Sequence, residues 1–139
     1  MSDLPNSKDY HTVTPYLIVP DVLRLLAFLI EAFGATERIR VPRSDGSIMH
    51  AEVAIGDSIV MMGEPTAKIG PMPASIFLRV KDADAAFHDA IQSGGIPVSE
   101  PADHPHAGER YGGVKDPCGN IWWPAMAMMT NEKTGISMG

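Results

Sequence analysis

The sequence predicts an α+β fold made of two tandem βαβββ modules that share one core. Three observations carry this expectation. A chain of 139 residues suits one domain or two half-size modules, at roughly 100–200 residues per domain. The order strand, helix, three strands occurs on both sides of a stretch at 64–73 that is rich in Pro and Gly and has no period. Finally, Val19 and Val80, Asp21 and Asp82, and Gly34 and Gly95 are each 61 positions apart, the self-similarity of a duplicated unit.

The first module is expected at about 12–63. Residues 12–19 crowd β-branched and aromatic side chains before Pro20 and read as a strand. Asp21 then offers a carboxylate to the orphan N–H groups of a helix over 22–33, and Gly34 closes it. Only Arg24 and Glu31 interrupt this helix, so it needs cover on more than one side, from a broad sheet face or from a second subunit. Strands at 37–42, 47–55 and 58–62 follow, joined by turns at Ser44-Asp45-Gly46 and Gly56-Asp57.

The second module is expected at about 74–125. Residues 75–80 form an apolar strand, Asp82 is the second N-cap, and Ala83, Ala86, Phe87, Ala90 and Ile91 make a one-sided helical stripe that ends at Gly94-Gly95. A strand at 96–99, a polar loop at 100–110, a strand at 111–115, the turn Asp116-Pro117-Cys118-Gly119 and a strand at 120–124 complete it. The tail 126–139 carries Met126, Met128 and Met129, to pack on a neighbouring subunit or to fray.

Composition narrows the function. Eleven basic against 17 acidic residues give a formal net charge of −6, and no stretch gathers the Lys and Arg that phosphate neutralisation requires, which excludes nucleic acid as the partner. The single cysteine forms no internal disulfide and suits a reducing compartment. The first nine residues are polar, without the apolar core of a signal peptide. The longest uninterrupted apolar run, 25–30, is far short of the ~20 residues that span a bilayer. The expectation is a cytoplasmic protein with no membrane partner. Both helix starts carry Asp, which repels phosphate, so a phosphate loop is absent.

His50 and Glu52 lie two apart in a strand and share a face, as metal ligands, as a base with its orienting acid, or as a hydrogen-bonded pair. His104, His106 and Glu109 around Pro105 read as a solvated loop or, combined with His50 and Glu52 across a cleft, as a ligand set. His11 and His88 read as exposed. Cys118 has only Lys115 nearby in sequence and reads as an inert thiol. Trp122 and Trp123 are neighbours in a strand and point to opposite faces.

The tandem modules, Thr14-Pro15-Tyr16-Leu17, Glu31-Ala32-Phe33-Gly34-Ala35, His50-Ala51-Glu52 with Ile55-Gly56-Asp57-Ser58, and Asp116-Pro117-Cys118-Gly119-Asn120-Ile121-Trp122 together resemble the vicinal oxygen chelate superfamily. This is the glyoxalase, bleomycin-resistance and extradiol-dioxygenase group, and the likeness is greatest to its PhnB-like branch. The resemblance implies a mixed sheet curled around a cleft between the modules, where enzymes of the group hold one divalent metal. Carried over to this chain, the metal-ligand positions fall on Thr14, Met61, Ser75 and Trp123. None of these is a usual hard-cation ligand, so neither metal nor cofactor is expected. Trp123 opposite Met61 would form an apolar floor for a flat ligand, or would fill the cup as core. Arg110 and Tyr111 match the group's stretch before the Asp-Pro turn and would stand at the rim. The expected binding set is therefore Thr14, His50, Glu52, Met61, Ser75, Arg110, Tyr111 and Trp123. The resemblance implies metal-independent binding of a small apolar or aromatic molecule by a homodimer. The alternative is a lyase, isomerase or dioxygenase with a displaced metal held by His50 and Glu52.

Overall fold

The computed structural model describes residues 9–128. It contains two βαβββ units in sequence. The first comprises β1 (Tyr16–Ile18), α1 (Val22–Phe33), β2 (Thr36–Pro42), β3 (Ile48–Ile55) and β4 (Ser58–Gly63); the second comprises β5 (Ser75–Arg79), α2 (Ala83–Gln92), β6 (Ile96–His104), β7 (Glu109–Lys115) and β8 (Ile121–Ala127). The α+β class and the duplicated order are as the sequence predicts. The mixed sheet is built as two four-stranded sheets, ordered β1-β4-β3-β2 and β5-β8-β7-β6. In each, the first and last strands pair in parallel and the rest antiparallel.

The predicted caps form. The Asp21 carboxylate accepts from Arg24 N at 3.2 Å and that of Asp82 from Ala85 N at 3.1 Å, while Gly34 adopts the left-handed conformation, φ 69°, that ends α1. α1 turns Leu25, Leu26, Phe28, Leu29 and Ala32 inward onto Leu17, Ala51, Val53 and Met62 of the first sheet. It also packs on α2, joining the units helix to helix. Leu23 and Ile30 remain 45% and 42% exposed on its outer side.

The largest departure lies at 100–110. This stretch is not a loop: β6 runs on to His104, followed by a single 3₁₀ turn at Pro105–Ala107. Pro101 hides the second half of the strand from a sequence reading, since, like Pro97 in the expected half, it lacks an N–H. Both are tolerated because β6 is an edge strand whose register slips between Pro97 and Ser99 and again between Ser99 and Ala102. β8 also runs past the expected end to Ala127, so Met126 belongs to the sheet and its sulfur accepts from Ala83 N at 3.3 Å. Met129 and the rest of the tail lie outside the described residues.

Candidate functional site

The side of the first sheet turned away from α1 carries a polar cluster. Alternation along β3 brings His50 and Glu52 to this side, and His50 Nε2 lies 2.6 Å from Glu52 Oε2. Glu52 is only 4% exposed. Its other oxygen accepts from the Tyr10 hydroxyl at 2.7 Å, while the Tyr16 hydroxyl lies 3.2 Å from His50 Nδ1. In the neutral imidazole, Nε2 donating to the Glu52 carboxylate leaves Nδ1 to accept from Tyr16. The result is a chain Tyr10–Glu52–His50–Tyr16 whose outer end, Tyr16, is exposed. Gly63 makes room for it, because a Cβ there would lie 3.3 Å from the Tyr16 hydroxyl and 2.6 Å from Met49 O.

The bond to Glu52, with burial second, pushes the Tyr10 phenol up to about 12. A raised folded pKa means that this contact stabilises fully below the ordinary value of 10.0 and is lost as pH rises through about 12. In an alkaline titration at 295 nm, the difference between wild type and Tyr10→Phe is expected to develop only above about pH 11. A Tyr10 titrating at its ordinary value would show that the contact does not hold in solution.

The corresponding side of the second sheet is aromatic. Phe77 on β5 is the register partner of Trp123 on β8, and Tyr111 on β7 meets both edge to face, at 5.5 and 6.0 Å between ring centroids. His104 stacks on Tyr111 at 3.8 Å and 12°. The Trp123 indole is held by a 2.8 Å bond from its Nε1 to Ser75 Oγ and lies across Gly113, where a Cβ would come within 2.6 Å of the ring. Phe77 is 51% exposed. It also lines a cavity of about 380 Å³ between the modules, with Val13, Pro15, Ile59 and Ile76, a size suited to a small organic molecule.

The residues expected around one cleft thus divide. His50, Glu52 and Met61 belong to the first sheet, and Ser75, Tyr111 and Trp123 to the second. Met61 is paired with Tyr16 rather than with Thr14, which precedes β1. Arg110 stands apart from the aromatic side. It points opposite to Tyr111 and grips Asp84 of α2 through two bonds of 2.8 and 2.9 Å, with Asp103 at 3.2 Å. This guanidinium holds the Asp84 carboxyl below its ordinary range. Trp122 points the other way from Trp123, fully buried against Phe33. Burial pushes the Cys118 thiol up to about 11, which removes the thiolate at neutral pH.

Three participants were missed by sequence reasoning, Tyr10, Tyr16 and Phe77, while His104, read as a loop residue or a metal ligand, stacks on Tyr111. Tyr16 and Phe77 carried a signal, since they too are 61 apart and sit two residues beyond Thr14 and Ser75 on the same strand face.

The family's metal does not fit these residues. Thr14, Met61, Ser75 and Trp123 offer no imidazole or carboxylate, and Ser75 and Trp123 are bonded to each other. Among the described residues, no three His, Cys, Asp or Glu side chains gather as a metal site. Glu109 is engaged with Arg79 at 2.9 Å.

Comparison with known proteins agrees with the architecture. Residues 10–123 match the family model described as Glyoxalase/Bleomycin resistance protein/Dioxygenase superfamily. Uncharacterized protein Rv0887c of Mycobacterium tuberculosis is 35% identical over 122 residues, covering 79% of this chain and 71% of that protein. Among solved structures, TioX from Micromonospora sp. ML1 superposes with a TM-score of 0.68 at 24% identity, covering 87% of this chain and 99% of that one. A PhnB protein from Bacillus cereus does so with a TM-score of 0.63 at 15% identity, over 84% of this chain and 100% of that one.

Proposed function

Since the chain belongs to the Glyoxalase/Bleomycin resistance protein/Dioxygenase superfamily, we propose that it works on that fold as a metal-independent binding protein for a small apolar or aromatic molecule. The observation that carries this reading is the aromatic side of the second sheet. Phe77, Tyr111 and Trp123 meet edge to face there, and Phe77 continues into the cavity between the modules. Such a surface offers a flat ligand both area and ring geometry. The alternative, a lyase, isomerase or dioxygenase with a displaced metal held by His50 and Glu52, needs more ligands than that pair, whose further contacts are the Tyr10 and Tyr16 hydroxyls.

A PhnB-like placement, a homodimer and a cytoplasmic setting belong to the same reading. The likeness to the Bacillus cereus protein supports the first. The exposed Leu23 and Ile30 of α1 and Phe77 on the edge strand β5 support the second, and the free thiol of Cys118 the third. Tryptophan emission decides the binding claim. Naphthalene-class probes are expected to quench wild-type fluorescence saturably and to lose most of that effect in Trp123→Ala, where the remaining emitter, Trp122, borders the cavity from the buried side. A flat response of the wild type across such probes would sink the reading.

A further inference from the structure

The polar side of the first sheet is filled by the chain's own N-terminal segment. Tyr10 places its hydroxyl on Glu52 at 2.7 Å, and Asp9 places its carboxylate on Arg38 at 3.3 Å. Among the described residues, no backbone hydrogen bond ties residues 10–14 to the sheet, so side chains seat this stretch. Glu52 is a buried acid in the middle of β3, where an apolar residue would avoid the cost of desolvating a carboxylate. Arg38, at the β2 irregularity just before Glu52's register partner Ile39, has its Nε atom buried without a partner among the described residues, a donor left unused at a cost.

We propose that this face is a binding site for a small phenol bearing an anionic group, which Asp9 and Tyr10 occupy in the free protein as an internal surrogate. The phenol hydroxyl donates to Glu52, whose second oxygen is held by His50, and the anion meets the Arg38 guanidinium. An incoming ligand displaces a tethered competitor, so the affinity of the wild type is lowered by the local concentration of Tyr10. The aromatic side of the second sheet plays no part in this site.

The test is calorimetric titration of the full chain with p-cresol, toluene and 4-hydroxyphenylacetate, carried out in a Trp123→Ala background so that the second sheet does not contribute. Tyr10→Ala is expected to bind p-cresol about tenfold tighter than the Tyr10 parent and not to bind toluene. Tyr10→Phe, which keeps the ring and loses the donor, should fall between the two. 4-Hydroxyphenylacetate should bind tighter than p-cresol, with that gain lost in Arg38→Gln. With Tyr10→Ala removing the competitor, Glu52→Gln should weaken both phenols by about tenfold, as a charge-assisted bond becomes a neutral one. Equal affinity for p-cresol and toluene would reveal a mere cavity and overturn the proposal. So would failure of p-cresol to bind folded Tyr10→Ala or Tyr10→Phe. Binding of acetyl-Asp-Tyr-amide with neither free phenol would assign the face to a peptide and overturn it as well.

Discussion

Replacing Asp116 by alanine is expected to lower the unfolding free energy by about 4 kcal/mol, since each buried donor left without an acceptor costs roughly 1–3 kcal/mol and water recovers part of the loss. Asp116 is 2% exposed. One carboxylate oxygen accepts from the backbone N–H groups of Cys118 and Asn120, at 2.8 and 3.0 Å. The other accepts from Asn120 Nδ2 at 2.9 Å and from the Trp122 indole at 2.7 Å. Asn120 passes the order on, its side-chain oxygen accepting from Ala74 N at the entrance to β5. The carboxylate thus fixes the β7–β8 turn, the indole of the largest buried side chain and the start of the module's first strand. Asp116→Asn tests charge against shape. An amide turns an N–H₂ toward two donors, so it should restore less than half of the loss. Urea midpoints of the two variants check this; a shift within 0.5 kcal/mol for Asp116→Ala would refute the keystone role.

Gly113→Val is expected to reduce aromatic quenching as far as Trp123→Ala does, although the substituted residue bears no ring. A Cβ at 113 meets Trp123 Cζ3 at 2.6 Å and Cε3 at 2.9 Å, closer than real contacts allow. The indole must swing off its bond to Ser75. Valine suits a strand, so the steric cost stands alone, about 1–3 kcal/mol for overpacking. Fluorescence titration with a naphthalene-class probe reads the first effect and thermal melting the second. Retained quenching would show that the observed indole position is not the one that binds.

Local chemistry was legible in the chain. Asp21, Asp82 and Gly34 cap helices through contacts three or four residues away, and any reader of the sequence meets them. The duplicated order was legible for the same reason, and so was the sharing of one face by His50 and Glu52, since alternation in a strand is a local rule. Long-range pairing was not. Nothing near Arg110 announces Asp84, 26 residues earlier on a helix, so a residue assigned to a binding rim proved to fasten a helix to a sheet. Tyr10 reaches Glu52 across 42 positions. Residues 100–104 read as loop because proline and charge signal loops, whereas an edge strand accepts both.

The hydrophobic interior is divided unevenly between the two units. Its fully buried members are drawn mostly from α1 and the first sheet, while the second unit contributes few beyond Phe87, Ala90, Val114 and Trp122. Regions with fewer buried apolar contacts open at lower free energy than the molecule as a whole. The duplication has therefore produced a stiff half and a soft half. The aromatic rings sit on the soft half, so amide exchange is expected to be faster in β5–β8 than in β1–β4.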